Sequence, residues 1–223
     1  MKSRKPEAGS QKSEIRSLKS GFRPLLILIS APSGGGKTTL CQQLLAARPD
    51  MTRAITCTTR SPRPGETEGV DYHFLTEADF QKRVQAGDFL EHATVFGRSY
   101  GTLRSEVLDK LRAGRDVLLN VDVQGAAAIC QRAADEPDLK RALVTVFLTP
   151  PSVGVLAERL KQRNTDAPEE IQKRLALARQ ELAQWGHFDY LLISSTIPED
   201  LRRMLAILEA EQMRTTRVPV PEF

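Results

Sequence analysis

The chain has 223 residues, 40% hydrophobic and 27% charged, which is enough to bury a sizeable core and ordinary for a globular protein. Its 32 Lys and Arg against 28 Asp and Glu leave a net charge of +4. Residues 1–20 alone supply that excess, so the remainder is neutral, which argues against non-specific nucleic-acid binding; the densest apolar runs, Leu25 to Ile29 and Ala142 to Leu148, fall far short of the roughly 18 residues of a membrane span.

Residues 1–21 are rich in Lys, Ser and Gly and contain no apolar stretch, so they read as a solvated, disordered leader rather than a secretory signal. An RNA-touching arm is the alternative. The body opens with Pro24-Leu-Leu-Ile-Leu-Ile29, short enough and followed closely enough by glycines to be a strand buried on both faces. A helix is expected from Lys37 to Arg48, where Leu40, Leu44 and Leu45 recur at helical spacing. Between strand and helix, Ala31-Pro32-Ser33-Gly34-Gly35-Gly36-Lys37-Thr38 matches the Walker A pattern with Ala in place of the first glycine. Glycines let backbone N–H groups converge on phosphate oxygens, and the helix N-terminus adds a favourable dipole. Lys37 is placed to bridge the β- and γ-phosphates and Thr38 to ligate Mg²⁺, with Thr39 completing the triphosphate site.

From residue 53 to 104 the strand–helix rhythm breaks into turns (Ser61-Pro-Arg-Pro-Gly65, Gly69, Gly87, Gly97), which predicts an inserted α+β subdomain. The alternation then resumes: helix Ser105–Ala113, strand Asp116–Val121, helix Gly125–Ala134, strand Ala142–Leu148 and a last strand Tyr190–Ile193. Asp122 ends one apolar run, where such folds hold a magnesium-organising carboxylate. Helices Ser152–Arg163 and Glu169–Gln184 form a hairpin with its turn at Asn164–Pro168. Arg159 and Arg163 share one face of its first helix, and Arg174 edges the stripe of Ile171, Leu175, Ala178 and Leu182 on its second. Strands alternating with helices predict an α/β fold with a mostly parallel sheet. The three cysteines, Cys41, Cys57 and Cys130, have neither CxxC nor metal spacing and suit a reducing cytoplasm.

Within the insertion, Thr56-Cys-Thr-Thr-Arg60-Ser-Pro-Arg63-Pro-Gly-Glu66, Gly69-Val-Asp-Tyr72-His-Phe74, Glu91 and Gly97-Arg-Ser-Tyr100-Gly-Thr102 strongly resemble the monophosphate site of guanylate kinases. The resemblance runs from about Pro24 to Leu208. It implies a P-loop NTPase fold with helices flanking the central sheet, an inserted monophosphate-binding subdomain and a helical lid. On that pattern residues 22–52, 105–151 and 187–210 are core, 53–104 the insertion, 152–186 the lid and 211–223 a second tail. It further implies phosphoryl transfer from ATP to GMP, and to dGMP, with Mg²⁺. The GMP site would be Thr56, Arg60, Arg63, Tyr72, Glu91, Tyr100, Thr102 and Asp122. Lys37, Arg60, Arg159, Arg163 and Arg174 would share the transition-state charge, with Thr38 and Asp122 on the metal. The expected partners are these small molecules, with neither membrane nor nucleic acid.

The chemistry of the residues agrees independently. Arg60 and Arg63, three apart across a turn, can fork onto one phosphate, to which Tyr72 and Tyr100 offer hydroxyl donors. Glu91 can accept guanine N1–H and N2–H while Thr56 and Thr102 donate to O6; adenine would leave that carboxylate unpaired. His73, His92 and His187 are scattered, and an already anionic phosphate acceptor needs no general base. Three departures from the family stand out: Asn120 where an acid is common, Asn164 for glycine in the lid turn, and Ser194-Ser195 for Asn-Asp near the donor base, where Ser194 keeps a shorter polar group. The alternatives are a related P-loop kinase of ribose 1,5-bisphosphate and a non-catalytic guanylate-kinase-like binding module.

Overall fold

The structure, a computed structural model, describes residues 23–95, 97–162 and 168–218. The basic leader expected at 1–21, Arg163 and Asn164 therefore lie outside the described residues. In chain order the elements are β1 (Leu26–Ser30), α1 (Lys37–Ala47), β2 (Thr52–Arg53), β3 (Thr56–Thr58), β4 (His73–Phe74), α2 (Glu77–Ala86), β5 (Phe89–Val95) and β6 (Arg98–Leu103). There follow α3 (Arg104–Arg112), β7 (Val117–Asn120), α4 (Val123–Asp135), α5 (Pro137–Ala142), β8 (Leu143–Thr149), α6 (Val153–Gln162), α7 (Pro168–Leu182), β9 (Tyr190–Ile193) and α8 (Ile197–Gln212).

Five strands form one sheet in the order β2-β7-β1-β8-β9, every pairing parallel. Because β1 is buried along its whole length, its side chains divide between two cores. Ile27 and Ile29 face Leu40 and Leu44 of α1 and Met204 and Leu208 of α8. Leu26 and Leu28 face Val107 and Leu108 of α3, Ile129 of α4 and Leu139 of α5. Each such side chain, fully buried, contributes roughly 1.5–3 kcal/mol. The fold is thus the α/β fold expected, a parallel central sheet flanked by helices, with strand order reversing about β1. Ligands of such sheets bind beyond the carboxyl ends of the strands at that reversal.

A second, four-stranded sheet, β4-β3-β6-β5, rises from the insertion. It is mostly antiparallel, and Phe80 of α2 stacks on Phe89 with ring centroids 4.5 Å apart over buried Cys57. Leu156, Leu160 and Ala178 join helices α6 and α7, the expected lid, in a small core of their own. Residues 211–218, expected as a tail, instead continue the body. Arg217 is buried, pairs with Glu211, and donates to the carbonyls of Arg141 and Leu143 at 2.9 Å. Among the described residues no helix is long and apolar enough to cross a membrane.

Candidate active site

The loop between β1 and α1 lines a cavity of about 280 Å³ built from Ala31 to Thr39 together with Asp122 and Glu181. Gly36 stands at the N-cap of α1 with φ +97°, a conformation that favours glycine, and offers no side chain to cap the helix. The helix therefore presents unsatisfied amides to the cavity, as an anion site requires. Lys37 reaches across and donates from Nζ to the Val121 carbonyl at 2.9 Å. Burial lowers its pKa, opposed by the charges of Asp122 and Glu181. A triphosphate would restore the cation that burial disfavours.

Across the chain from Lys37, Asp122 caps α4 by accepting from the Gly125 amide at 2.8 Å. Gly125 lies against the carboxylate of Glu91: a Cβ there would stand 3.3 Å from Glu91 Oε2 and 3.2 Å from Val121 Cβ. Lys37, Val121, Asp122, Gly125 and Glu91 thus form one contiguous path from the phosphate loop to the inserted sheet. Burial pushes the Glu91 carboxyl above the usual carboxylate range, Thr102 pulls it down, and the Asp122 charge pushes it up further.

Sheet register gathers the remaining residues expected on the acceptor side. Thr102 pairs with both Thr56 and Glu91, and Tyr100 with Thr58. Tyr72 and Tyr100 meet edge to face with centroids 6.4 Å apart, and the Arg60 guanidinium lies 5.4 Å from the centre of the Tyr72 ring. Two details differ from the sequence reading. The Thr102 hydroxyl donates to Glu91 Oε1 at 2.7 Å, so its proton orients the carboxylate and is not available to guanine O6. Arg60 forks onto Glu66 at 2.8 and 3.0 Å and donates to the Ser61 carbonyl at 2.8 Å. The guanidinium has five N–H donors, so some of the fork remains for a phosphate. Glu66, which the sequence presented only as part of a motif, also accepts from the Arg63 amide at 2.7 Å and so ties the two arginines together. The Arg63 side chain is exposed.

Where the donor base is expected, a second cavity of about 380 Å³ is lined by Gly34, Gly36, Thr39, Arg159, Ser194 and Asp200, among others. Arg159 donates to Ser194 Oγ at 3.3 Å, and Ser194 donates onward to Asp200 at 2.8 Å. Asp200 also accepts from the Ser195 amide at 2.8 Å, so one carboxylate of α8 orients both residues of the Ser194-Ser195 departure. Arg174 is half-buried on α7, and Asn120 is exposed at the end of β7. Glu181, near the end of α7, accepts from the Ser33 amide at 3.2 Å. Sequence reading missed it; its one signal was an acid beside the stripe of Leu175 and Ala178.

The guanylate kinase family profile matches residues 23–211. A guanylate kinase of Maricaulis maris is 40% identical over 197 residues, covering 88% of this chain and 88% of that protein. One of Coxiella burnetii is 44% identical over 189 residues, 85% of this chain and 88% of its own. The solved guanylate kinase of Anaplasma phagocytophilum matches with a TM-score of 0.68 at 30% identity, over 88% of this chain and 90% of that one.

Proposed function

This chain belongs to the guanylate kinase family, and we infer from it that the protein is a nucleoside monophosphate kinase that converts GMP and ATP to GDP and ADP. The observation that carries the reading is the continuous path from Lys37 through Val121 and Gly125 to the Glu91–Thr102 pair. It sets a phosphate loop and a carboxylate suited to guanine against opposite ends of one strand–helix junction.

An oxygen of the GMP phosphate attacks the γ-phosphorus of ATP in line as the bond to the ADP oxygen breaks. That bond's electrons stay on the ADP β-phosphate. The attacking oxygen is already anionic near neutral pH, so no base is required. Protein catalysis here is alignment and charge neutralisation. Lys37 neutralises the β- and γ-phosphates, Arg60 and Arg63 hold the acceptor phosphate with Tyr72 and Tyr100, and Arg159, Arg163 and Arg174 close from the lid. Glu91 accepts N1–H and N2–H, and Thr56 donates to O6. The loop from Ala31 to Thr39 surrounds the triphosphate, its Ser33 amide held by Glu181 and the first amides of α1 turned to the phosphates, with Ser194 beside the donor base. Thr38 and Asp122 would hold Mg²⁺; hydroxyl and carboxylate oxygens are the hard donors it prefers, and both line the loop cavity. The ion would polarise the phosphate oxygens. dGMP is accepted as well, because these residues address base and phosphate rather than the ribose 2′ position. The free cysteines Cys41, Cys57 and Cys130 support a reducing cytoplasm as the compartment.

A coupled assay with MgATP against GMP, AMP, CMP, UMP and ribose 1,5-bisphosphate tests this. GMP should exceed AMP by roughly 10⁴-fold in kcat/KM, the discrimination open to a site that hydrogen-bonds its substrate. Comparable AMP turnover would refute the assignment. Lys37→Ala should abolish turnover with the fold intact.

A further inference from the structure

We propose that Glu181 is a positioning residue for the transfer, the pivot through which the phosphate loop holds the lid helix α7. This rests on the kinase reading above. Glu181 is buried, with 9% of its surface exposed, and is the penultimate residue of α7, where the lid returns to the body. Its Oε2 accepts from the Ser33 amide at 3.2 Å, and its side chain lines the same cavity as Lys37 and Thr38. The charges that face it are Lys37 from α1 and Asp122 from the cap of α4.

An acid is a costly choice here. A buried carboxylate loses hydration, and a helix C-terminus disfavours negative charge. The neighbouring Asp122 adds repulsion, and burial pushes the Glu181 carboxyl above the usual range. An apolar residue continuing the contacts of Leu175 and Ala178 would close the lid core without these penalties. What the carboxylate supplies instead is an acceptor for a loop amide that glycine-rich geometry leaves unpaired. Arg174 lies seven residues earlier, two turns back on the same side of α7 and about 10 Å along its axis. A rigid helix fixed at Glu181 therefore sets the position from which Arg174 approaches the triphosphate.

The test compares Glu181→Ala with Glu181→Gln in the full chain, measuring kcat and KM separately with MgATP and GMP. The Gln carboxamide oxygen still accepts from Ser33, so Glu181→Gln should retain most of kcat. Glu181→Ala should lose about ten- to a hundredfold in kcat, the cost of an ångström-scale misplacement, with KM for GMP within about twofold of wild type. The proposal is overturned if Glu181→Ala keeps its kcat, if Glu181→Gln is as impaired as Glu181→Ala, or if KM for GMP rises in step with the fall in kcat. A wild-type enzyme without turnover would defeat the kinase reading and this inference together; an active wild type with an indifferent Glu181→Ala would defeat this inference alone.

Discussion

Glu91 combines a cost and a use that pull in opposite directions. Burial disfavours its charged form, yet on the proposed reading the two N–H donors of guanine would need an anion to accept both. Thr102 compensates by donating at 2.7 Å, which fixes the carboxylate's orientation before any base arrives. Glu91→Gln replaces one acceptor with a donor facing guanine's own donors. It should lower kcat/KM for GMP by about 10- to 100-fold, the value of one or two hydrogen bonds to a charged group, while KM for ATP stays put in the same assay. The pH behaviour follows from the sign of the shift. A carboxyl whose folded value is raised contributes stability that is complete below the ordinary carboxylate range and is lost as pH rises through the raised value. Glu91 and Glu181 both contribute in this sense. GMP, by hydrogen-bonding to the charged form, should bring the Glu91 midpoint back down. A carbon-13 titration of that carboxyl with and without GMP measures this, and an unmoved midpoint would contradict it. Glu66 acts through Arg60, so Glu66→Ala should raise KM for GMP several-fold, on the order of one charge-assisted contact, with KM for ATP unchanged.

At the scale of elements, what could be read in advance followed periodicity and glycine placement. The expected helix Lys37–Arg48 is found as Lys37–Ala47, and Tyr190–Ile193 is a strand with the expected bounds. Three helices escaped notice for different reasons. α2 and α8 are announced by hydroxyl caps, Thr76 accepting from Asp79 and Thr196 from Glu199, local signals outweighed by the turn-rich or terminal context. α5 has only six residues, too short for a period to show. Motif residues on the loop and inserted sheet were visible because their chemistry is local. The partners of Thr102 and Arg60, and the role of Glu181, depend on register and on which helix returns to which loop, and neither is encoded in spacing. The α4 junction offers a test at this scale. Gly125→Ala would place a Cβ 3.3 Å from Glu91 Oε2, so the carboxylate must shift. KM for GMP should rise, and a variant with wild-type KM would show that this close approach is without consequence.

The whole molecule brings two sheets and a helical hairpin together about the phosphate loop. The parallel sheet sends the phosphate loop out at its point of reversal, and the inserted sheet faces it through α4 with Glu91. Helix α6 brings Arg159 to the loop, where a Cβ on Gly36 would stand 3.8 Å from its Nη1, and packs Leu160 so close to Gly34 that a Cβ there would stand 2.9 Å from Leu160 Cδ2. Nucleotides that bridge these parts should stabilise the fold by mass action, about 2.7 kcal/mol at a hundred times Kd for each, visible as a higher Tm with GMP and ADP together than with either alone. The most direct measurement of the central claim is a crystal structure with GMP bound. The Glu91 carboxylate should lie within hydrogen-bond reach of guanine N1 and N2; a base bound elsewhere, with that carboxylate facing solvent, would contradict the account.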